Sequence, residues 1–94
     1  MYALHFSRSA TKEFKKIDRH NQLFLTHSLD EFIANFNDTY EQALMQKGKI
    51  KKLQGQKEVL YRLKLRSYRV VYQKQNEKLI ILVVHVTSRE GAYK

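Results

Sequence analysis

The chain has 94 residues, and its 18 Lys and Arg against 9 Asp and Glu give a formal net charge of +9. A chain of this length hides only roughly 60–65% of its unfolded surface, so we expect one compact domain over residues 1–94. The absence of cysteine excludes disulfides and thiolate metal sites. No apolar run approaches the roughly 20 residues that span a bilayer, so we expect a cytoplasmic protein without a membrane partner.

The cations are concentrated in the second half of the chain. Residues 20–46 contain no Lys or Arg, whereas residues 47–69 carry nine cations and a single acid, Glu58. Clustered like charges repel each other, so this concentration favours a phosphate-rich or acidic partner. Nucleic acid is the leading expectation, ahead of an acidic protein, an anionic membrane surface or a solvated basic face without a partner.

The first part of the chain predicts one strand and two helices. Residues 2–6 alternate Tyr, Leu and Phe with Ala and His, which is typical of a short strand, and Ser7 or Ser9 can then cap a helix. The apolar positions of that helix are Ala10, Phe14 and Ile17. A second amphipathic helix follows, with apolar positions at Leu25, Leu29, Phe32, Ile33 and Phe36. Asn37 or Asp38 can end it and cap a short third segment.

The rest of the chain predicts a basic loop and three strands. The stretch KGKIKKLQGQKE, residues 47–58, is too charged for a core, so we expect a loop anchored by Leu53. Residues 59–66 and 68–74 have strand patterns, and Asn76, which follows them, tolerates a left-handed turn conformation. The near-continuous apolar run KLIILVVHV, residues 78–86, predicts a central strand covered on both faces.

Together these elements predict an α+β fold of the order β-α-α-β-β-β. Short connections make the last three strands antiparallel, which gives a small antiparallel sheet of about four strands with a helical hairpin on one face. The opposite face stays open. Alternation in YRLKLR, residues 61–66, predicts a row of three cations on that face: Arg62, Lys64 and Arg66.

Five features follow each other between residues 52 and 93. They are KLQG ahead of a hairpin, the strand YRLKLR, the return strand YRVVYQ, an apolar strand, and a final arginine followed by a tyrosine. This ordered set resembles the C-terminal half of the RelE/ParE superfamily of bacterial toxins, and its RelE branch most closely. FSRSATKEFKKI, residues 6–17, is similar to the first strand-helix junction of that family.

The resemblance implies a RelE-like toxin of a type II toxin-antitoxin system. Such a toxin is a ribosome-dependent endoribonuclease, an mRNA interferase that cleaves mRNA in the A site of the 30S subunit and so arrests translation and growth. Its implied partners are the ribosome, mRNA and a cognate acidic antitoxin, with a higher-order complex on operator DNA formed through the antitoxin. No cofactor is implied.

The resemblance also assigns residues. The catalytic set matched to the family is Arg62, Lys64, Arg69, Arg89 and Tyr93. A second group is expected to contact RNA phosphates: Lys49, Lys51, Lys52, Lys57 and Arg66. Two departures from the family pattern stand out, because the turn RSYR lacks the glycine of many RelE proteins and Arg62 replaces a frequent lysine.

Cleavage of RNA through its own 2′-hydroxyl needs a base, cations around the phosphate and a proton for the leaving oxygen. The sequence has no His, Asp and Glu cluster with ligand spacing, so we expect a metal-independent reaction that depends on fixed guanidinium groups. Lys64 is the candidate base, since neighbouring cations favour its neutral form. Tyr93 can instead transfer a proton or stack on a base. His85 is a further candidate, and a core histidine is its alternative interpretation.

Two other functions fit the same fold. One is a ParE-like toxin that inhibits DNA gyrase without nuclease chemistry, and the other is a non-catalytic ribosome- or RNA-binding protein. A pure binder has no need to assemble the whole catalytic set matched to the family.

Overall fold

The computed structural model describes residues 1–55 and 57–88, and these contain five strands and three helices. In chain order they are β1 (Ala3–Phe6), α1 (Arg8–Lys15), α2 (Arg19–Asn35), α3 (Asp38–Gln46), β2 (Ile50–Lys52), β3 (Leu60–Leu65), β4 (Tyr68–Gln75) and β5 (Ile80–Ser88). The strands form one sheet in the order β1-β5-β4-β3-β2. Only β1 and β5 pair in parallel. The α+β fold class and the antiparallel β3-β4-β5 order are confirmed.

Each helix begins at a side chain that accepts a hydrogen bond from the first turn. Ser7 accepts from the amide of Ala10, and Asn37 accepts from the amide of Tyr40. Such caps satisfy amides that have no partner within the helix. Asp18 plays the same role for α2. The predicted cap at Ser7 is therefore confirmed, and the short third segment is a helix of its own.

The stretch of residues 47–58 contains a strand that the sequence prediction missed. Ile50 lies opposite Leu63 of β3 and is only 3% exposed, whereas the expected anchor Leu53 is partly buried. The lysines on both sides of Ile50 concealed a three-residue edge strand, whose charges are typical of a protected sheet edge. In the turn before β5 the residue with a positive φ is Leu79, at 54°, and not Asn76.

The helices cover one face of the sheet. The buried strand residues on that face are Ile50, Leu63, Val70, Tyr72, Ile81, Val83 and Val86. They form one core with α2 residues that include Leu25, Leu29 and Phe32. We call the other side, which carries Arg62 and Lys64 of β3, the open face. None of its described side chains is fully buried.

β5 is an interior strand covered on one face only. Ile80 and Leu82 alternate with the buried Ile81 and Val83, so they lie on the open face and are half-buried. The expectation that this strand is covered on both faces is wrong. A β-bulge interrupts the pairing of β4 with β5. Val71 pairs with His85 and Tyr72 pairs with Val83, so the register skips Val84.

Residues at the start of α1 and within it form hydrogen bonds with β5. They bond the part of the strand edge that extends beyond its pairing with β1. The backbone N–H of Ser7 donates to the carbonyl of Val83 at 2.8 Å, and its hydroxyl donates to the carbonyl of Val84 at 3.1 Å. Farther along, the N–H of Val86 donates to Glu13 Oε1 at 2.9 Å. These bonds satisfy edge groups that would otherwise lack a partner, and they fix α1 against β5.

A buried carboxylate connects α3 to β4. Glu41, only 2% exposed, accepts hydrogen bonds from the Tyr72 hydroxyl at 2.7 Å and from Lys74 Nζ at 2.6 Å. Burial, together with this bond to Glu41, raises the pKa of Tyr72 well above its usual range. Burial alone would lower the pKa of Lys74, but the hydrogen bond and charge of Glu41 outweigh it and raise that pKa.

We predict that Glu41→Ala lowers the free energy of unfolding by about 3–5 kcal/mol. It leaves the buried Tyr72 hydroxyl without its acceptor and the partly buried Lys74 ammonium with only the exposed Asp38 at 4.0 Å. Asp38→Ala is the matched control. Asp38 also lies near Lys74, at 4.0 Å, but its side chain is 91% exposed, so its loss costs at most about 1 kcal/mol. Urea unfolding measures the free energies of unfolding of the two variants. Equal losses of stability would show that the burial of Glu41 has no special importance for the fold.

Candidate active site

Among the described residues, the open face carries four cations in two directly opposed pairs. On β3, Tyr61, Leu63 and Leu65 face the helices, so Arg62 and Lys64 point to the open face, as the alternation predicts. Lys64 lies opposite Arg69 of β4, and Arg62 lies opposite Lys51 of β2. Side chains directly opposite each other begin about 5 Å apart, and alternate residues of one strand begin about 7 Å apart. All four cations can therefore reach one small region above the sheet.

Within residues 1–55 and 57–88, no acidic side chain forms an ion pair with any of these four cations. The ion pairs there join Lys74 to Asp38 and Glu41, and His85 to Glu13. The one hydrogen bond among the four side chains is from an Arg69 nitrogen to the carbonyl of Tyr68, at 3.3 Å. The four charges are thus available to an outside anion.

The arrangement works against the stability of the fold. Like charges directly opposite each other on neighbouring strands are destabilising, and here this occurs twice on one face. In addition, Nε of Arg62 is buried without a hydrogen-bond partner, which costs roughly 1–3 kcal/mol. Such costs indicate that these residues serve a purpose other than stability.

His85 lies on the same face, one strand beyond β4. It is opposite Val71, which is itself opposite Arg62, so the three residues form one row across the sheet. Its Nδ1 is 3.3 Å from Glu13 Oε1, and its side chain is 53% exposed. The alternative interpretation of a core histidine is therefore wrong.

The residues expected to contact phosphate are dispersed. Lys51 lies on the open face, whereas Lys52 lies opposite Tyr61 and points to the helix-covered side. Lys49 lines a pocket of about 180 Å³ beside Lys64, with Glu31 and Tyr40 among its other residues. Lys57 is exposed in the connection between β2 and β3.

Arg66 does not extend the row of Arg62 and Lys64. It occupies the two-residue turn between β3 and β4 with a φ of 55°, a conformation that usually selects glycine. Its guanidinium carbon lies 3.8 Å from the centroid of the Phe24 ring on α2, a cation–π contact on the helix-covered side. The predicted row of three cations is thus wrong at its third member.

Two members of the expected catalytic set, Arg89 and Tyr93, lie outside the described residues. On the open face of β5, Thr87 is opposite Arg69 and continues the row that begins at Lys64. Tyr68 and Tyr72 pack on the helix side of the sheet. Glu13 was missed, and no local pattern could reveal it because 72 positions separate it from His85.

Two features are absent from the part of the chain that the structure describes. No three His, Asp or Glu side chains there lie close enough to hold a metal ion together. No helix in these residues has the length and apolar character needed to cross a bilayer.

Comparison with known families assigns the chain. Residues 4–93 match the family model described as the ParE toxin of the type II toxin-antitoxin system parDE. The chain belongs to the RelE/ParE superfamily of type II toxins. A search of curated protein sequences gave no match.

Solved structures place this member of the superfamily beside RelE. It is 30% identical to a chain of the intact E. coli RelBE toxin-antitoxin complex, with a TM-score of 0.67 and coverage of 94% of this chain and 96% of that chain. The isolated E. coli RelE toxin is similar at 29% identity and a TM-score of 0.67, over 94% and 84% of the two chains. The archaeal RelE-RelB complex of Pyrococcus horikoshii OT3 shares the fold, at 21% identity and a TM-score of 0.67 over 94% of each chain.

We predict that Lys64→Gln and Arg69→Gln each raise the free energy of unfolding by about 0.2–1 kcal/mol, because each removes one repulsive pair. The double variant should have nearly the same free energy of unfolding as either single variant, because each single change already removes the repulsion. Lys52→Gln, on the same sheet but opposite Tyr61, is the matched control and should change stability by less than about 0.5 kcal/mol. Urea unfolding of the wild type, the two single variants and the double variant measures these free energies. Clear destabilisation by both single variants would show that these cations support the fold.

Proposed function

We propose that this toxin cleaves mRNA in the ribosomal A site through attack by the RNA 2′-hydroxyl. The observation that carries the proposal is the group of four cations on the open face, placed in opposed pairs without an acidic partner among the described residues. The similarity of this chain to RelE structures, at about 30% identity, supports the same activity.

The cations suit the charge that develops in this reaction. The 2′-oxygen bonds to phosphorus, the bond to the 5′-oxygen breaks, and negative charge grows on the non-bridging oxygens. Arg62, Lys64 and Arg69 surround a position above β3 and β4 where they stabilise that charge, and guanidinium groups fit phosphate oxygens in pairs. Lys51 contacts a neighbouring phosphate. Arg89 and Tyr93, matched to the family by sequence, complete the proposed set.

The ribosome supplies what a flat sheet lacks. An exposed sheet face with cations attracts phosphate groups of any sequence, but it has no walls to orient one nucleotide for in-line attack. The A site, where mRNA is already held, provides that orientation. We therefore propose that free RNA is a poor substrate and that cleavage depends on the programmed ribosome.

An acidic antitoxin is the second proposed partner. RelE is seen with an antitoxin in the E. coli RelBE complex, which matches this chain at 30% identity. A toxin with a net charge of +9 offers a complementary surface to an acidic and partly disordered segment. The antitoxin would also carry the pair to operator DNA in a higher-order complex.

Inhibition of DNA gyrase is the alternative function. It is favoured by the matched family model, which describes ParE toxins. A gyrase inhibitor needs a binding surface only, so neutralising the open-face cations one at a time would change its affinity gradually. A nuclease instead loses turnover sharply when one group around the phosphate is removed.

The test combines purified toxin with ribosomes programmed with a defined mRNA, and maps cut sites by primer extension. We expect cleavage at the A-site codon, about 10²-fold slower with Arg62→Ala, Lys64→Ala or Arg69→Ala. Lys78→Ala, an exposed cation in the turn before β5, is the control and should cleave normally. Adding the antitoxin encoded beside the toxin gene should leave the mRNA intact.

Intact mRNA with wild-type toxin would contradict the nuclease proposal. The same preparations are therefore also assayed for DNA supercoiling by gyrase. Inhibition there, without any cut in mRNA, would support the ParE-like alternative.

A further inference from the structure

We propose that His85 is the general base of the cleavage reaction and that Glu13 is its positioning residue. The inference rests on the proposed nuclease function and assigns the proton transfers within it. It differs from the expectation drawn from the family resemblance, in which Lys64 is the base.

The hydrogen bonds around Glu13 determine which imidazole nitrogen is free. Glu13 Oε1 accepts from the Val86 amide at 2.9 Å, which holds the carboxylate at the edge of β5. The same oxygen lies 3.3 Å from His85 Nδ1. A carboxylate only accepts hydrogen bonds, so Nδ1 carries the hydrogen and Nε2 keeps its lone pair. The 53% exposure of the side chain leaves Nε2 open to an incoming hydroxyl.

The sheet places His85 across the site from the cations of β3. Val71 of β4 lies between Arg62 and His85, so these two side chains begin about 10 Å apart, two strand spacings. Arg69 is diagonal to His85 on the neighbouring strand. A phosphate above β4 would therefore have Arg62 and Lys64 on one side and His85 on the other. In-line displacement requires this arrangement, because the attacking and leaving oxygens lie on opposite sides of phosphorus.

The proton transfers then balance. Nε2 of His85 takes the proton of the 2′-hydroxyl as the 2′-oxygen bonds to phosphorus. The bond from phosphorus to the 5′-oxygen breaks, and that oxygen takes a proton from the Lys64 ammonium. The products are a 2′,3′-cyclic phosphate and a 5′-hydroxyl, and the imidazolium is paired with Glu13. Proton exchange with water restores both side chains.

Three groups face His85 or share its surroundings. Glu13 approaches from α1, Arg69 from β4, and His5 of β1 lies on the open face opposite Leu82. Because the base acts in its neutral form, acid that protonates the imidazole should slow cleavage, so the rate should rise with pH. Loss of the Glu13 charge removes the partner of the imidazolium that forms in the reaction.

The experiment measures single-turnover cleavage on programmed ribosomes between about pH 5 and 8. His85→Gln should slow cleavage by about 10²–10⁴-fold and remove the rise with pH. Glu13→Gln keeps an oxygen for the Val86 amide, so a purely structural role would survive it, but cleavage should slow because the imidazolium that forms lacks its counter-charge. His5→Gln is the matched control, a histidine on the same face, and should behave like the wild type.

His85→Gln with the wild-type rate and pH profile would overturn the inference while the nuclease function stands. Equal losses with His85→Gln and His5→Gln would also overturn it. Failure of the wild type to cleave mRNA would instead contradict the nuclease function itself. A separate readout needs no cleavage, because nitrogen NMR of the free toxin should show the His85 hydrogen on Nδ1. A hydrogen on Nε2 would overturn the assignment of the base.

Discussion

The pairing of β3 with β4 determines which side chains lie together on each face of the sheet. On the helix side, Leu63 lies opposite Val70 and Tyr61 lies opposite Tyr72, whose rings stack with centroids 5.3 Å apart. A shift of one residue would expose these apolar groups and bury the cations, so the core fixes the register. The same register sets Lys64 against Arg69 on the open face. Hydrophobic burial on one side of the sheet thus maintains a repulsive arrangement on the other.

Two contacts between residues distant in sequence hold helices to the sheet. Glu41 of α3 bonds Tyr72 and Lys74, which anchors the far end of β4 beneath the helices. Glu13 of α1 bonds the backbone of β5 and lies beside His85. One buried carboxylate therefore supports the strand that carries Arg69, and one carboxylate at the sheet edge supports the strand that carries the proposed base.

The sequence predicts those parts of the fold that depend on local pattern. Alternation in residues 61–66 was sufficient to place Arg62 and Lys64 on the open face, and the Ser7 cap followed from its side chain. The prediction failed where a contact between residues distant in sequence determines the local structure. Ile50 forms a strand because Leu63 faces it, and the Arg66 guanidinium leaves the row because Phe24 lies beside the turn. The partnership of Glu13 with His85 likewise depends on the chain returning after 72 positions.

We propose that the open-face cations hold RNA phosphate. Amide and guanidinium NMR can follow their response to a short single-stranded RNA whose 2′-oxygens are methylated, so that it binds without being cut. We expect the largest shifts at Lys51, Arg62, Lys64 and Arg69, and we expect them to weaken steeply with added salt. Shifts concentrated on the exposed lysines of α1, with the open face unchanged, would contradict it.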